Sequence, residues 1–321
     1  MRKRTLCYFL MVALCFTFLS GALAAEKYPA KEIQLVMSNP PGGSMTIVIQ
    51  LLKESLEKSL GVPVVLNYQT GGSGAAGVAY LAKAKPDGYT IGSFTSREVI
   101  TLPATVPGVP YKYSDLESLC KYTSVPSLIF VKGDAPWKTV EELVADAKKR
   151  PGEITYGATT KSISHMLMED FLKAAGIKML HVPTEAAGQT ITRILGGNLD
   201  VGIVAVAPAV GQLKAGKLRG LFVSPDRVAI FPKIPTLKEK GFHDPVLNLY
   251  SGFFAPLRIP KPILQTLEKA LEKAIKDPAF KNRLESEALV WEYVAREAFA
   301  QEVQEDYTRV MKNVKPSDPR K

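Results

Sequence analysis

The chain has 321 residues, 46% of them hydrophobic, with Lys and Arg outnumbering Asp and Glu 41 to 31 for a formal net charge of +10. That length leaves room for two lobes with separate cores. The basic residues are spread along helical stretches, without basic runs or interleaved aromatics, which argues against a nucleic-acid partner and for a small anion.

Met1 to Ala24 read as a secretory leader. Arg2-Lys3-Arg4 is a basic start, Leu6 to Leu19 an apolar run, and Ala22-Leu23-Ala24 a small-residue cleavage site. The run is too short for a membrane span, and no later stretch is long and apolar enough. Bulky Leu14 before Cys15 speaks against a lipoprotein anchor. A periplasmic location follows. Loss of Arg2, Lys3 and Arg4 leaves 38 basic against 31 acidic residues, a net +7. Loss of Cys7 and Cys15 leaves Cys120 alone, so no internal disulfide is available and the core must hold the fold.

Ile33 to Met37 is an apolar run of strand length, and Ile47, Val48, Leu51, Leu52, Leu56 and Leu60 repeat at helical spacing. Between them, Asn39-Pro40-Pro41-Gly42-Gly43-Ser44-Met45-Thr46 is a strand-to-helix turn. Its glycines allow close approach to another molecule, and Ser44 or Thr46 can cap the helix. Such a turn directs N–H groups and the positive helix end outward, which suits an anion. Gly61 to Leu66 is a second strand, leading into Thr70-Gly71-Gly72-Ser73-Gly74-Ala75-Ala76-Gly77 and a small-residue helix. No Gly-Lys-Ser/Thr follows, so this is not a phosphate loop. Pro86-Asp87-Gly88-Tyr89 is a turn before strand Thr90 to Phe94, which ends at Thr95-Ser96-Arg97. Arg97, at a strand end, is a candidate bidentate partner for a carboxylate.

Ser127 to Val131 is a strand. Thr139-Val140-Glu141-Glu142 is a capping box for a helix that stops at Pro151-Gly152. Strand Ile154 to Ala158 leads into a third polar turn, Thr159-Thr160-Lys161-Ser162-Ile163-Ser164-His165, and a helix ending at Gly176. Met179 to Val182, Asp200 to Val206, Leu218 to Ser224 and Tyr250 to Ala255 are further strands. Helices start near Thr184 and Pro208, and a capping box at Thr236 to Glu239 predicts another ending at Gly241. Two helices close the chain, before a loose tail from Lys315 to Lys321. Alternating strands and helices predict parallel sheets, and open α/β sheets bind ligands where their strands end. Glycine turns near 40–97 and 157–207 form two groups, which predicts two lobes across a cleft.

Signs of catalysis are sparse. The histidines, His165, His181 and His243, show no metal-ligand spacing, and one cysteine cannot build a zinc site. No Gly-x-Ser-x-Gly elbow is present. Ser162 or Ser164 beside His165 lacks an evident acidic third member. An enzyme is not expected, and neither is a metal or cofactor.

Several stretches together resemble the substrate-binding proteins of tripartite tricarboxylate transporters, the Bug family. They are Tyr28-Pro29, Asn39-Pro40-Pro41-Gly42-Gly43, Gly71-Gly72-Ser73-Gly74, Pro86-Asp87-Gly88-Tyr89-Thr90, Val109-Pro110-Tyr111, Pro151-Gly152, Tyr156-Gly157, His165 and His181-Val182-Pro183. The match continues through Gly196-Gly197-Asn198-Leu199-Asp200, Ala215-Gly216-Lys217-Leu218-Arg219, Ile234-Pro235-Thr236 and Glu239-Lys240-Gly241. Their order and spacing cover essentially the whole mature chain.

The resemblance implies an α/β, two-lobed periplasmic binding protein (type II-like), each lobe a mainly parallel sheet flanked by helices. Lobe 1 would comprise residues 25–131 plus 249–321, and lobe 2 residues 132–248. It implies a monomer that captures a small organic carboxylate and hands it to a permease with large and small membrane subunits. Carried over, the ligand contacts are Asn39, Gly42, Gly43, Ser44, Gly72, Ser73 and Gly74 in the first lobe. In the second they are Thr159, Thr160, Ser162, His165, Thr184 and Ala205. The chain departs from the family pattern at four places. Thr46 stands where Asp is usual and Gln50 where Arg is usual. Thr184-Glu185 replaces Tyr-Lys, and Val204-Ala205-Val206 replaces a Phe-Asp-Asn-like run. The last change suggests an apolar wall and a ligand with an apolar body. Two alternatives remain: a receptor presenting its ligand to a membrane sensor kinase, and a secreted hydrolase using Ser162 or Ser164 with His165.

Overall fold

The structure is a computed structural model. It describes residues 28–41, 44–160, 162–242 and 248–313, apart from the side chains of Ser44, Met45, Ile47 and Asn313. The leader, Gly42, Gly43, His243 and the tail lie outside them.

The first sheet has six strands in the order β11-β4-β10-β3-β1-β2. They are β1 (Ile33–Met37), β2 (Val64–Tyr68), β3 (Thr90–Thr95), β4 (Leu116–Ser124), β10 (Tyr250–Pro256) and β11 (Val290–Ala295). β1 runs parallel to β2 and β3, whereas β10 is antiparallel to β3 and β4, and β11 to β4. One face carries α1 (Ser44–Leu60), α8 (Lys261–Ile275) and α9 (Pro278–Ser286). Val48, Ile49, Leu52 and Leu56 pack with Leu264, Leu267, Leu271, Phe280 and Leu284 over Leu35, Leu119 and Phe253. Those spacings put one stripe of each helix against the sheet. The other face is covered by α2 (Ala75–Ala82) and α10 (Arg296–Asn313), through Val78, Leu81, Phe299 and Val303. Between β3 and β4 lie a π-helical turn, Arg97–Thr101, and the short α3 (Leu102–Thr105).

The second sheet has five strands in the order β7-β6-β8-β5-β9. They are β5 (Ser127–Lys132), β6 (Thr155–Ala158), β7 (Leu180–Pro183), β8 (Val201–Ala205) and β9 (Leu218–Ser224). β6 is parallel to β7 and β8, and β5 antiparallel to β8 and β9. α4 (Val140–Lys149) and α5 (Ile163–Ala175) cover one face, and α6 (Ala187–Leu195) and α7 (Val206–Lys214) the other.

Both sheets are thus mixed, with the parallel strands confined to β2-β1-β3 and β7-β6-β8. The antiparallel strands arise where the chain passes between lobes. β4 and β5 are almost continuous, yet they belong to different sheets. Pro126, which has no N–H for a ladder, stands between them. The expected lobe boundary after residue 131 is therefore misplaced, because β5 pairs along its whole length with strands of the second sheet. The return passage pairs with the outward one: the Val125 N–H donates to the Leu249 carbonyl at 2.7 Å.

The capping box at Thr139 forms by half: Thr139 Oγ1 accepts from the Glu142 N–H, whereas the Glu142 carboxylate accepts from the Lys138 N–H instead of that of Thr139. The box at Thr236 closes reciprocally with Glu239. It nucleates only a single 3₁₀ turn, Lys238–Lys240, before Gly241 at φ 80° ends it, not the helix its sequence suggests. β4 and β11 were not evident in the sequence. β4 carries Lys121, buried inside the lobe and paired with Glu292 and Glu302. Cys120 lies in the first core as a free thiol, and burial pushes its pKa up. Among the described residues, no helix is long and apolar enough to cross a membrane.

Candidate functional site

In each lobe, three parallel strands end side by side and lead into turns. In the first lobe these are β1, β2 and β3; in the second, β6, β7 and β8. The first turn of α5 meets the first lobe. Ile163 and, in part, Met166 join the apolar cluster of Val36, Phe94, Val99, Ile100 and Tyr250. The turn Thr159 to Ser162 therefore stands beside that contact.

In the first lobe, Asn39 is exposed at the end of β1, and Ser44 begins α1. Thr46 is buried, and its hydroxyl donates to the Pro40 carbonyl at 3.2 Å, which braces the turn across the expected cap position. The second glycine turn is tightly wound. Gly71, Gly72, Ser73 and Gly74 all have positive φ, at 129°, 54°, 57° and 100°. Glycine adopts such angles freely, and a serine does so only when its surroundings hold it. Arg97 supplies part of that hold, since its Nη1 donates to the Ser73 carbonyl at 3.1 Å. The expected carboxylate fork at Arg97 thus has one arm committed to the turn. Part of the turn's donor set is also spent internally: the N–H groups of Gly74 and Ala76 bond the Gly71 carbonyl.

Glu98, which the sequence did not single out, sits under this turn. It is 4% exposed. Its Oε1 accepts from the Ser38 hydroxyl at 2.7 Å. Its Oε2 accepts from the Thr95 N–H at 2.7 Å and the Thr95 hydroxyl at 3.0 Å. Burial pushes this carboxyl above the usual carboxylate range, against the pull of the Thr95 and Ser38 donors and the Arg97 charge. Its neighbour Ser96 is fully buried. The Ser96 hydroxyl donates to the Asn248 carbonyl and accepts from the Tyr250 N–H, tying the end of β3 to the returning chain. The only sequence signal for Glu98 was an acidic residue directly after a strand-end arginine.

In the second lobe, Thr159 is half-buried and Thr160 exposed. Ser162 caps α5, its Oγ accepting the His165 main-chain N–H at 3.1 Å. Ser164 pairs with Ser127 at 3.1 Å. Both hydroxyls are therefore engaged structurally, which removes the motive for a serine nucleophile. His165 stacks on His181, with ring centroids 4.1 Å apart and planes at 20°. His181 in turn stacks on Tyr156, whose hydroxyl bonds Glu169. Burial first, and then His181, hold the His165 imidazole below its ordinary pKa. At neutral pH the ring is therefore largely uncharged.

Thr184 departs from its expected role. It is buried, and its hydroxyl pairs with Thr190 at 2.8 Å, so the side chain serves the core. Ala205 is half-buried at the start of α7. Val204 and Val206 are 4% and 1% exposed and pack inside the lobe. The apolar wall expected from these three residues is absent, and with it the basis for an apolar ligand body. Among the described residues, no cluster of three or more His, Cys, Asp or Glu could hold a metal.

A sequence profile described as Tripartite tricarboxylate transporter family receptor matches residues 48–316. The UPF0065 protein in the TAR-I ttuE-ttuC' intergenic region of Agrobacterium vitis is 32% identical over 282 residues, covering 87% of this chain and 81% of that protein. Protein BugT of Bordetella pertussis is 29% identical over 265 residues, 81% of each chain. A TctC solute binding protein from Polaromonas, solved without ligand, superposes with a TM-score of 0.78 at 27% identity, covering 89% of this chain and 98% of that one. These likenesses span both lobes: the chain is a receptor of the tripartite tricarboxylate transporter family, not an enzyme.

Proposed function

We propose that this chain is an extracytoplasmic receptor that binds a small organic carboxylate between its lobes and delivers it to a membrane permease of large and small subunits. One observation carries the reading. Two sets of parallel strands end in Gly- or Ser/Thr-rich turns at helix starts, and the first turn of α5 bridges from one lobe to the other. Helix starts present N–H donors and the positive dipole end, which suit a carboxylate. On this reading, Asn39, the Gly42-Gly43-Ser44 turn, Gly72, Ser73 and Arg97 form one jaw. Thr159, Thr160, Ser162, His165 and Ala205 form the other, with Gly74 and Thr184 shaping them from behind. The lobes hinge where the outward passage at Val125-Pro126 pairs with the return passage at Leu249, and closure on the ligand presents the form that the permease recognises. The leader, Met1 to Ala24, would direct the chain to the periplasm as a monomer.

The test is thermal unfolding of the purified protein against a panel of mono-, di- and tricarboxylates, with mass spectrometry of any co-purified compound. A ligand at a hundred times its Kd stabilises by about 2.7 kcal/mol, well within reach of the assay. A panel in which no carboxylate shifts the transition would defeat the reading.

A further inference from the structure

We propose that Glu98 is a specificity-determining residue of the first-lobe jaw: it places the chain's own carboxyl group beneath the glycine turn, so that a ligand carboxylate enters that jaw only together with a proton taken up by Glu98. This rests on the carboxylate reading above.

The geometry is specific. Three segments that build the jaw converge on one side chain. Ser38 lies directly before the Asn39 turn and bonds Oε1. Thr95, at the end of β3, bonds Oε2 twice. Gly74, the cap of α2, lies so close that a β-carbon there would stand 2.4 Å from Oε1. The positive end of α2 and these three donors are therefore already directed at an acidic group. Among the described residues, the charged and titratable groups around Glu98 are few. Arg97 follows the same strand end, with its guanidinium turned to the Ser73 carbonyl. Tyr111 comes from the segment before β4, and its hydroxyl donates to the Glu98 carbonyl. Tyr122, on β4, shares a hydrogen bond with Ser93. Burial holds both phenols above their ordinary range, so both are neutral. Among the described residues, Arg97 is the one cation whose charge acts on this buried carboxyl, and its guanidinium is already engaged with the Ser73 carbonyl. Two carboxylates sharing a desolvated site do not both ionise, and one takes up a proton. Burial already favours that proton on Glu98. Groups that bring no negative charge, such as an alkyl end, a hydroxyl or an amide, enter the jaw without this requirement.

The test compares adipate with hexanoate, equal in carbon number, by isothermal titration calorimetry at pH 6, 7 and 8. Buffers of different ionisation enthalpy count the protons taken up. In the native protein, adipate affinity should fall about tenfold or more from pH 6 to pH 8, with proton uptake on binding. Hexanoate, which can place its single carboxylate on the second lobe, should change less than about threefold. Glu98→Gln should abolish both the pH dependence and the proton uptake for adipate. Ser38→Ala, a milder change, removes one donor that favours the ionised acid and should move the pH midpoint upward. Adipate binding without proton uptake, or an unchanged pH dependence in both variants, overturns the assignment of Glu98 while leaving the carboxylate reading intact. Failure of every carboxylate of the panel, these two included, to bind at any pH removes both.

Discussion

Substitution of Gly74 by alanine tests whether the glycine turn is shaped by the acid beneath it. The substitution has two separable effects. Alanine would have to adopt φ 100°, where its β-carbon crowds the backbone at about 1–2 kcal/mol. That β-carbon would also stand 2.4 Å from Glu98 Oε1 and 2.7 Å from its Cγ, so the carboxyl must move. Glu98 is 4% exposed and has no solvent to retreat into. Loss of one hydrogen bond to a charged group is worth about 1.5–3 kcal/mol. Gly74→Ala should therefore destabilise by about 2.5–5 kcal/mol, measured by urea denaturation at constant m-value. Gly108→Ala is the control. Its φ is 80° with open space around it, so only the backbone effect of about 1–2 kcal/mol applies. In a Glu98→Ala background, the excess of Gly74→Ala over Gly108→Ala should vanish, since the double-mutant cycle removes the clashing partner. Equal losses for Gly74→Ala and Gly108→Ala in the native background would refute the reasoning, because the contact with Glu98 would then carry no energy.

Two further predictions follow from buried polar groups. Thr184→Val leaves the Thr190 hydroxyl, fully buried, without its partner. The expected loss is about 1–3 kcal/mol, and adding Thr190→Val should recover most of it; a Thr184→Val protein as stable as the native one would remove the structural role. Asp306 is 2% exposed, and its pKa is raised to about 6, chiefly by burial and against the pull of Arg309. A carboxyl that holds its proton more tightly when folded makes the native state bind more protons than the unfolded chain between about pH 4 and 6. This contribution therefore grows as pH falls through 6 and is lost as pH rises. Asp306→Asn should flatten that part of the pH–stability profile, and an unchanged difference between pH 4.5 and pH 7 would count against it.

Much of the fold was legible locally. The apolar runs of β1, β3 and β8 and the helical stripes of α1, α5 and α8 formed where their spacing placed them, because burial of one face decides such elements with little outside help. β4 was hidden because its pattern includes a charged lysine. Lys121 is tolerated in the interior only because Glu292 and Glu302, far along the chain, come to it, and no local window contains all three. The second capping box misled for the opposite reason. Thr236 and Glu239 satisfy each other, but no amphipathic stripe follows Gly241 to carry a helix onward.

The site divides in the same way. By itself the sequence determined that glycine and Ser/Thr turns follow the parallel strands, since those residues have specific backbone and capping uses wherever they occur. Only the tertiary structure decided what each side chain does there. It turned Thr184 inward onto Thr190, committed an arm of Arg97 to Ser73, buried Val204 and Val206, and carried Glu98 under Gly74. The physical reason is distance along the chain. Ser38, Gly74 and Glu98 are brought together by the pairing of β1 with β2 and β3, and a carboxyl's role is set by the partners and solvent that such pairing leaves it.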